Sequence, residues 1–148
     1  MSIEMKKEHL IQYGLKVFEE IGANEICSVC IRSGNSCCRG CEFLKDGEGC
    51  QKRNTSCIAW LCGLQKHYFE EVGLLDDWEK LWAKVPGKLH RRDVTPDIVK
   101  VNTLLKVKHI NKNSGKLMAD KFNIFIGNGG NLEKLEERLQ HDFVMRKL

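Results

Sequence analysis

Apolar residues recur at three- and four-residue intervals through much of this chain, a pattern that predicts a mainly helical protein. Near the N-terminus, Leu10, Ile11, Gly14, Phe18 and Ile21 share one face of a helix that Ser2 can cap and that ends near Gly22. The stretch "CIAWLCGLQKHYFEEVG" reads as one continuous helix with Thr55 or Ser56 as its cap and Gly73 as its stop, and "LDDWEKLWAKV" as a shorter one ended by Pro86 and Gly87. "TPDIVK" carries a helix-start signature: Thr95 as cap, Pro96 at the first position, and Asp97 where the helix dipole favours an anion. Downstream, "TLLKVKHI" either prolongs that helix or pairs through "NKNSG" with "KFNIFIG", whose Phe122, Ile124 and Ile126 alternate onto one face; the hairpin is the preferred reading. After "GNGG", Asn131 caps a last helix with Leu132, Leu135, Leu139 and Phe143 in one stripe. The expected fold is a small, mainly α domain with a cysteine-rich metal-binding loop region and one candidate β-hairpin.

Residues 23–56 interrupt this pattern. They are rich in Gly, Ser, Asn and Cys and lack a sustained period, so loops held by something other than side-chain packing are expected there. All eight cysteines fall between Cys27 and Cys62. At 148 residues the chain has the length of a single domain, 1–148, that can bury a core without disulfide staples. "MSIEMKKEHLIQYGLKVFEE" has no apolar run or small-residue cleavage site, and no later stretch is apolar enough to span a bilayer, so a cytoplasmic protein with no membrane contact is expected. Thiols stay reduced in that compartment, and a dense cluster there reads as metal ligation or redox chemistry.

Two CxxC units, Cys27 with Cys30 and Cys38 with Cys41, each place two sulfurs where one tetrahedral ion can bridge them. Cys37 and Cys38 are neighbours, which in an extended segment point to opposite sides and so suit two centres. With Cys50, Cys57 and Cys62 the eight sulfurs suffice for two four-thiolate sites within a module spanning 23–62. No histidine lies between residues 23 and 66, and a purely thiolate set favours zinc or an iron–sulfur cluster over hard cations. Cys57 and Cys62 are five apart, roughly 140° around a regular helix. Cys57 is therefore expected to ligate from a helix start, and Cys62 has the weakest claim.

The order CxxC, then CC, then "GEGC" and two further cysteines resembles the zinc- or iron-chelating cysteine-cluster domain, the CxxCxxCC (YkgJ-like) family. The resemblance covers about residues 27–62 and reaches Cys27, Cys30, Cys37, Cys38 and Cys50 most directly. It implies chelation of zinc or iron by the eight cysteines and no particular activity. Six residues part the CxxC from the CC here, where the family pattern has about two.

Charge adds one further feature. Residues 84–121 hold ten Lys and Arg against three Asp and Glu, whereas the rest of the chain is balanced or acidic. Lys84, Lys88, Arg91, Arg92, Lys100, Lys106, Lys108, Lys112, Lys116 and Lys121 could neutralise phosphates of a nucleic acid or meet an acidic protein, and a helix followed by a hairpin would suit a winged helix. The bland alternative is a solvated face. His9, His67, His90, His109 and His141 are scattered without a site signature, and Trp60, Trp78 and Trp82 read as core. The chain has no CxxxCxxC triplet, compact ferredoxin run, HExxH, GxSxG or Walker loop. Three classes follow: a metal-stabilised binding protein with zinc, an iron–sulfur protein in electron transfer or redox sensing, and an enzyme with an open metal position or reactive thiol. No residue is singled out as catalytic.

Overall fold

A computed structural model describes residues 3–33, 44–45, 49–50, 54–89, 92–101 and 104–146. Seven helices are described: α1 (Lys7–Glu20), α2 (Asn24–Arg32), α3 (Thr55–Ala59), α4 (Gly63–Glu71), α5 (Leu75–Ala83), α6 (Asn113–Gly127) and α7 (Leu132–Arg146). Six short strands pair antiparallel in twos: β1 (Ile3–Lys6) with β6 (Ile98–Val101), β2 (Leu44–Lys45) with β3 (Gly49–Cys50), and β4 (Lys88–Leu89) with β5 (Arg92–Asp93). The mainly α expectation holds.

Helix α1 buries Leu10, Gly14, Val17 and Phe18, close to the expected face. Gly14 is required by packing, since a Cβ there would come within 2.4 Å of the Ile58 side chain and 3.2 Å of Trp82. Gly22, at φ +77°, takes the left-handed conformation that ends α1 and turns the chain into α2. The start of α6 lies against this turn so closely that a Cβ on Gly115 would stand 2.0 Å from the Gly22 carbonyl oxygen. Around α1, α4 and α5 an aromatic cluster forms, with Phe69 and Trp78 rings 5.2 Å apart edge to face and Phe18 5.5–5.6 Å from both. Tyr68 and Trp78 bury their rings and donate their polar hydrogens to the carbonyls of Ile21 (2.6 Å) and Ala59 (3.2 Å).

Several expectations are corrected. Residues 24–32 form α2, because Ile26 and Val29 supply a buried helical face within the cysteine-rich stretch. "TPDIVK" leads into strand β6: Val99 and Val101 alternate inward, and the register Ile3↔Val101 to Lys6↔Ile98 pairs them with β1. Thr95 donates to Pro86 O at 2.6 Å beside Thr55, with the two hydroxyls 2.9 Å apart in the core. Ser2 lies outside the described residues, and α1 begins at Lys7, whose N–H takes the Asp97 carbonyl at 2.7 Å.

No hairpin joins 103–110 to 121–127. "KFNIFIG" ends α6, which buries Met118, Ala119 and Phe122 at helical spacing, so the strand-then-helix order of 98–127 is not the expected helix-then-wing. Trp60 is 48% exposed and is not core, unlike Trp78 and Trp82. The predicted caps and stops hold elsewhere: Gly73 is left-handed at φ +77°, α5 ends before Pro86, and Asn131 Oδ1 accepts the Lys134 N–H at 3.0 Å. Lys88 reaches back to the end of α5, its ammonium donating to the carbonyls of Trp82 (2.6 Å) and Val85.

Candidate metal centre

The single helix expected across residues 57–73 is two helices. Asn54 caps α3 by accepting the Cys57 N–H at 2.9 Å, Trp60 is extended at ψ 127°, and α4 starts anew at Gly63. Its cap is Cys62, whose Sγ accepts the Gln65 N–H at 3.4 Å. The angular argument against Cys62 assumed an unbroken helix, and the break removes it.

Helix α2 carries Cys27 and Cys30 three residues apart, so both lie on one face. Gln65 ties that face to α4. Its side-chain amide donates to Ala23 O at 2.9 Å and to Cys27 Sγ at 3.2 Å, while its backbone N–H serves Cys62. Gln65 is itself only 3% exposed, and its Oε1 is buried without a hydrogen-bond partner among the described residues. From α7, Glu136 Oε1 accepts the Gly63 N–H at 3.3 Å. The thiol of Cys62 and the carboxylate of Glu136 thus share the free N–H groups at the start of α4.

Burial and neighbouring groups shift the thiols at this site. Burial pushes the Cys30 thiol up to about 12, with the negative charge of Cys27 and then of Glu136 adding to it. Burial drives the Cys62 thiol higher still; the Gln65 hydrogen bond opposes this and Cys27, Cys30 and Glu136 reinforce it. Burial is the larger cause at both thiols, and it favours their neutral forms. The donor set suits a soft metal: three sulfurs with amide N–H groups already placed on two of them. Among the described residues, no group of three or more His, Cys, Asp or Glu side chains is arranged to hold an ion as it stands. Binding there would draw the side chains inward.

The other expected ligands are distributed as follows. Cys57 is half-buried in the first turn of α3. The backbone of Cys50 lies in β3 opposite Leu44. Cys37, Cys38 and Cys41 lie outside the described residues, and with them the second CxxC unit.

Sequence reasoning missed Glu136, Gln65 and α7's part in the site. A signal was present for Glu136: the stripe Leu132, Leu135, Leu139, Phe143 also runs through positions 136 and 140, so Glu136 and Gln140 occupy an otherwise apolar face. Among the described residues no helix is long and apolar enough to cross a membrane. No family model, curated protein or solved structure matches the chain, so the likeness to the CxxCxxCC family rests on the order of its cysteines.

Proposed function

We propose that this chain is a cysteine-thiolate metal-binding protein of a reducing, cytoplasmic setting, in which an ion ties α2 to the start of α4 and orders residues 23–62. The observation that carries the reading is that one buried glutamine bonds both Cys27 and Cys62, from helices far apart in sequence, with Cys30 on the same face of α2 as Cys27. Zinc is the leading ion because thiolates bind it tightly in closed structural sites. An iron–sulfur cluster is the alternative, and up to two centres fit eight cysteines. The deciding experiment is metal analysis with a visible spectrum on anaerobically purified protein. Stoichiometric zinc and a colourless sample support the first reading; visible absorption that bleaches with oxidant supports the second. Absence of any bound metal, and of uptake on reconstitution, overturns both.

A second reading, contact of residues 84–121 with nucleic acid or an acidic protein, is supported by exposed Lys106, Lys108, Lys112, Lys116 and Lys121 around the start of α6. Two other members of the basic set are engaged, Lys88 on the end of α5 and Lys100 beside Glu4 at 3.9 Å. Binding through phosphates would weaken log-linearly with salt and fall in a charge-reversed Lys106, Lys108 and Lys112 variant. Titration with duplex and single strands at two ionic strengths reads it, and no binding at low salt removes it.

A further inference from the structure

We propose that Glu136 is the fourth donor of the Cys27, Cys30 and Cys62 centre, which makes it a mixed site of three thiolates and one carboxylate rather than a four-cysteine site. The inference rests on the metal-binding reading above and extends it to a helix, α7, that lies seventy residues beyond the cysteine-rich module.

Placement is the first argument. Glu136 Oε1 and Cys62 Sγ accept from N–H groups two residues apart, those of Gly63 and Gln65, so both acceptors converge on one turn of backbone. That convergence is fixed by packing. Helix α7 crosses α4 at Gly63 so closely that a Cβ there would stand 2.3 Å from Glu136 O and 2.7 Å from Gln140 N. The glycine lets the two helices touch, and the touch delivers the carboxylate.

The second argument is an imbalance of hydrogen-bonding groups. Besides three sulfurs and a carboxylate, the region holds Gln65 Oε1 and Gln140 Oε1, both buried and without a partner among the described residues. Gln140 follows Glu136 by one helical turn and abuts the same glycine. Buried acceptors without donors are costly, and orphaned ones are few in native proteins. A divalent ion, with any water it holds, supplies what these groups lack. Zinc accepts Cys and Glu together, the carboxylate oxygen at about 2.0–2.2 Å.

The assignment changes how the cysteines divide. One centre takes three, leaving Cys37, Cys38, Cys41, Cys50 and Cys57 for any second centre.

The test uses the full chain, loaded anaerobically with zinc or with cobalt(II), whose thiolate charge-transfer band grows with the number of bound sulfurs. Cys62→Ser first identifies this centre, as the ion lost or weakened relative to wild type. Glu136→Gln keeps an acceptor for the Gly63 N–H but removes the anion; we expect it to weaken zinc at the same centre by about ten- to a hundredfold or more, with unchanged helical circular dichroism. Glu136→Cys should restore tight binding and add the cobalt band of one further thiolate. If Cys62→Ser loses an ion while Glu136→Gln binds like wild type and Glu136→Cys adds no thiolate signal, the carboxylate assignment is wrong and the thiolate reading stands. If wild type takes up neither zinc nor cobalt, both fall.

Discussion

Helix α4 has two ends built by opposite rules. Its C-terminal half gives Tyr68 and Phe69 to the aromatic cluster, where rings pack 5.2–6.5 Å apart and the polar hydrogens of Tyr68 and Trp78 meet carbonyls. Of that cluster only Trp82 Nε1 is buried without a partner among the described residues. Its N-terminal turn gives Cys62, Gly63 and Gln65 to a cluster of buried thiols, the Glu136 carboxylate and an amide oxygen, Gln65 Oε1, without a donor among the described residues. The first end is held by ring packing and, Trp82 Nε1 apart, has its polar hydrogens paired. The second is stable only with its thiols neutral or with a cation among them. The same nine-residue helix is thus both a core element and a platform for a ligand.

The comparison makes four predictions. The largest effect belongs to the aromatic end. Trp78→Ala removes a side chain in contact with Phe18, Phe69 and Trp82 and should cost about 3–5 kcal/mol, read by denaturant unfolding of the metal-free and metal-loaded chain alike. Equal loss in both states shows that this core does not depend on the ion. Next comes removal of the ion. Because metal binding energy is folding energy where the protein lacks its own core, chelation should raise hydrogen exchange through residues 23–33 and the first turn of α4 while α1 and α5 keep their protection. Unchanged exchange after verified metal removal would erase the distinction between the two ends.

A third prediction addresses the seam between α4 and α7. Gly63→Ala sets a methyl group 2.3 Å from Glu136 O, which forces the helices apart and should destabilise by about 1–3 kcal/mol, with a metal affinity loss that Gly127→Ala, in open space, does not share. The smallest effect is at Lys88, remote from the thiols. Burial lowers its folded-state pKa below the usual 10.5, so between the two values the unfolded chain binds more protons. The Lys88 contribution to stability should therefore rise slightly as pH climbs toward 10.5, so wild type should gain on Lys88→Met over that range. A thermal-melt series of metal-free wild type and Lys88→Met isolates it as their difference, since both chains carry the same thiols.

Local signals in the sequence were reliable where local chemistry decides. Asn131 as a cap, Gly22 and Gly73 as stops, and the α5 boundary all depend on residues within a few positions. They failed where a distant partner outbid them. Thr95 and Pro96 look like a helix start, but β1 offers Val99 and Val101 a strand partner, and Thr95 is worth more in the core against Pro86 and Thr55. The alternation of Phe122, Ile124 and Ile126 suggested a strand, while Met118, Ala119 and Phe122 bury as a helix. At the site, Cys27 and Cys30 were legible from spacing alone. Cys62 was undervalued because one continuous helix would turn it away from Cys57, and nothing near "WLCG" announces that the helix restarts there. Glu136 was visible only as a charge on an apolar stripe.

The pairing of β1 with β6 also sets an order of events. Ile3 finds its partner only when Val101 has been made, and Tyr13 waits equally long for the Leu105 N–H that its hydroxyl accepts at 2.7 Å. At synthesis rates of about 5–20 residues per second, that interval is roughly 5–20 s. The thiols of Cys27, Cys30 and Cys62 emerge well inside it, and Glu136 is still unmade when the first strand closes. During biogenesis the nascent chain therefore presents its sulfurs before α7 arrives beside them, so loading, or oxidation, can precede completion of the fold.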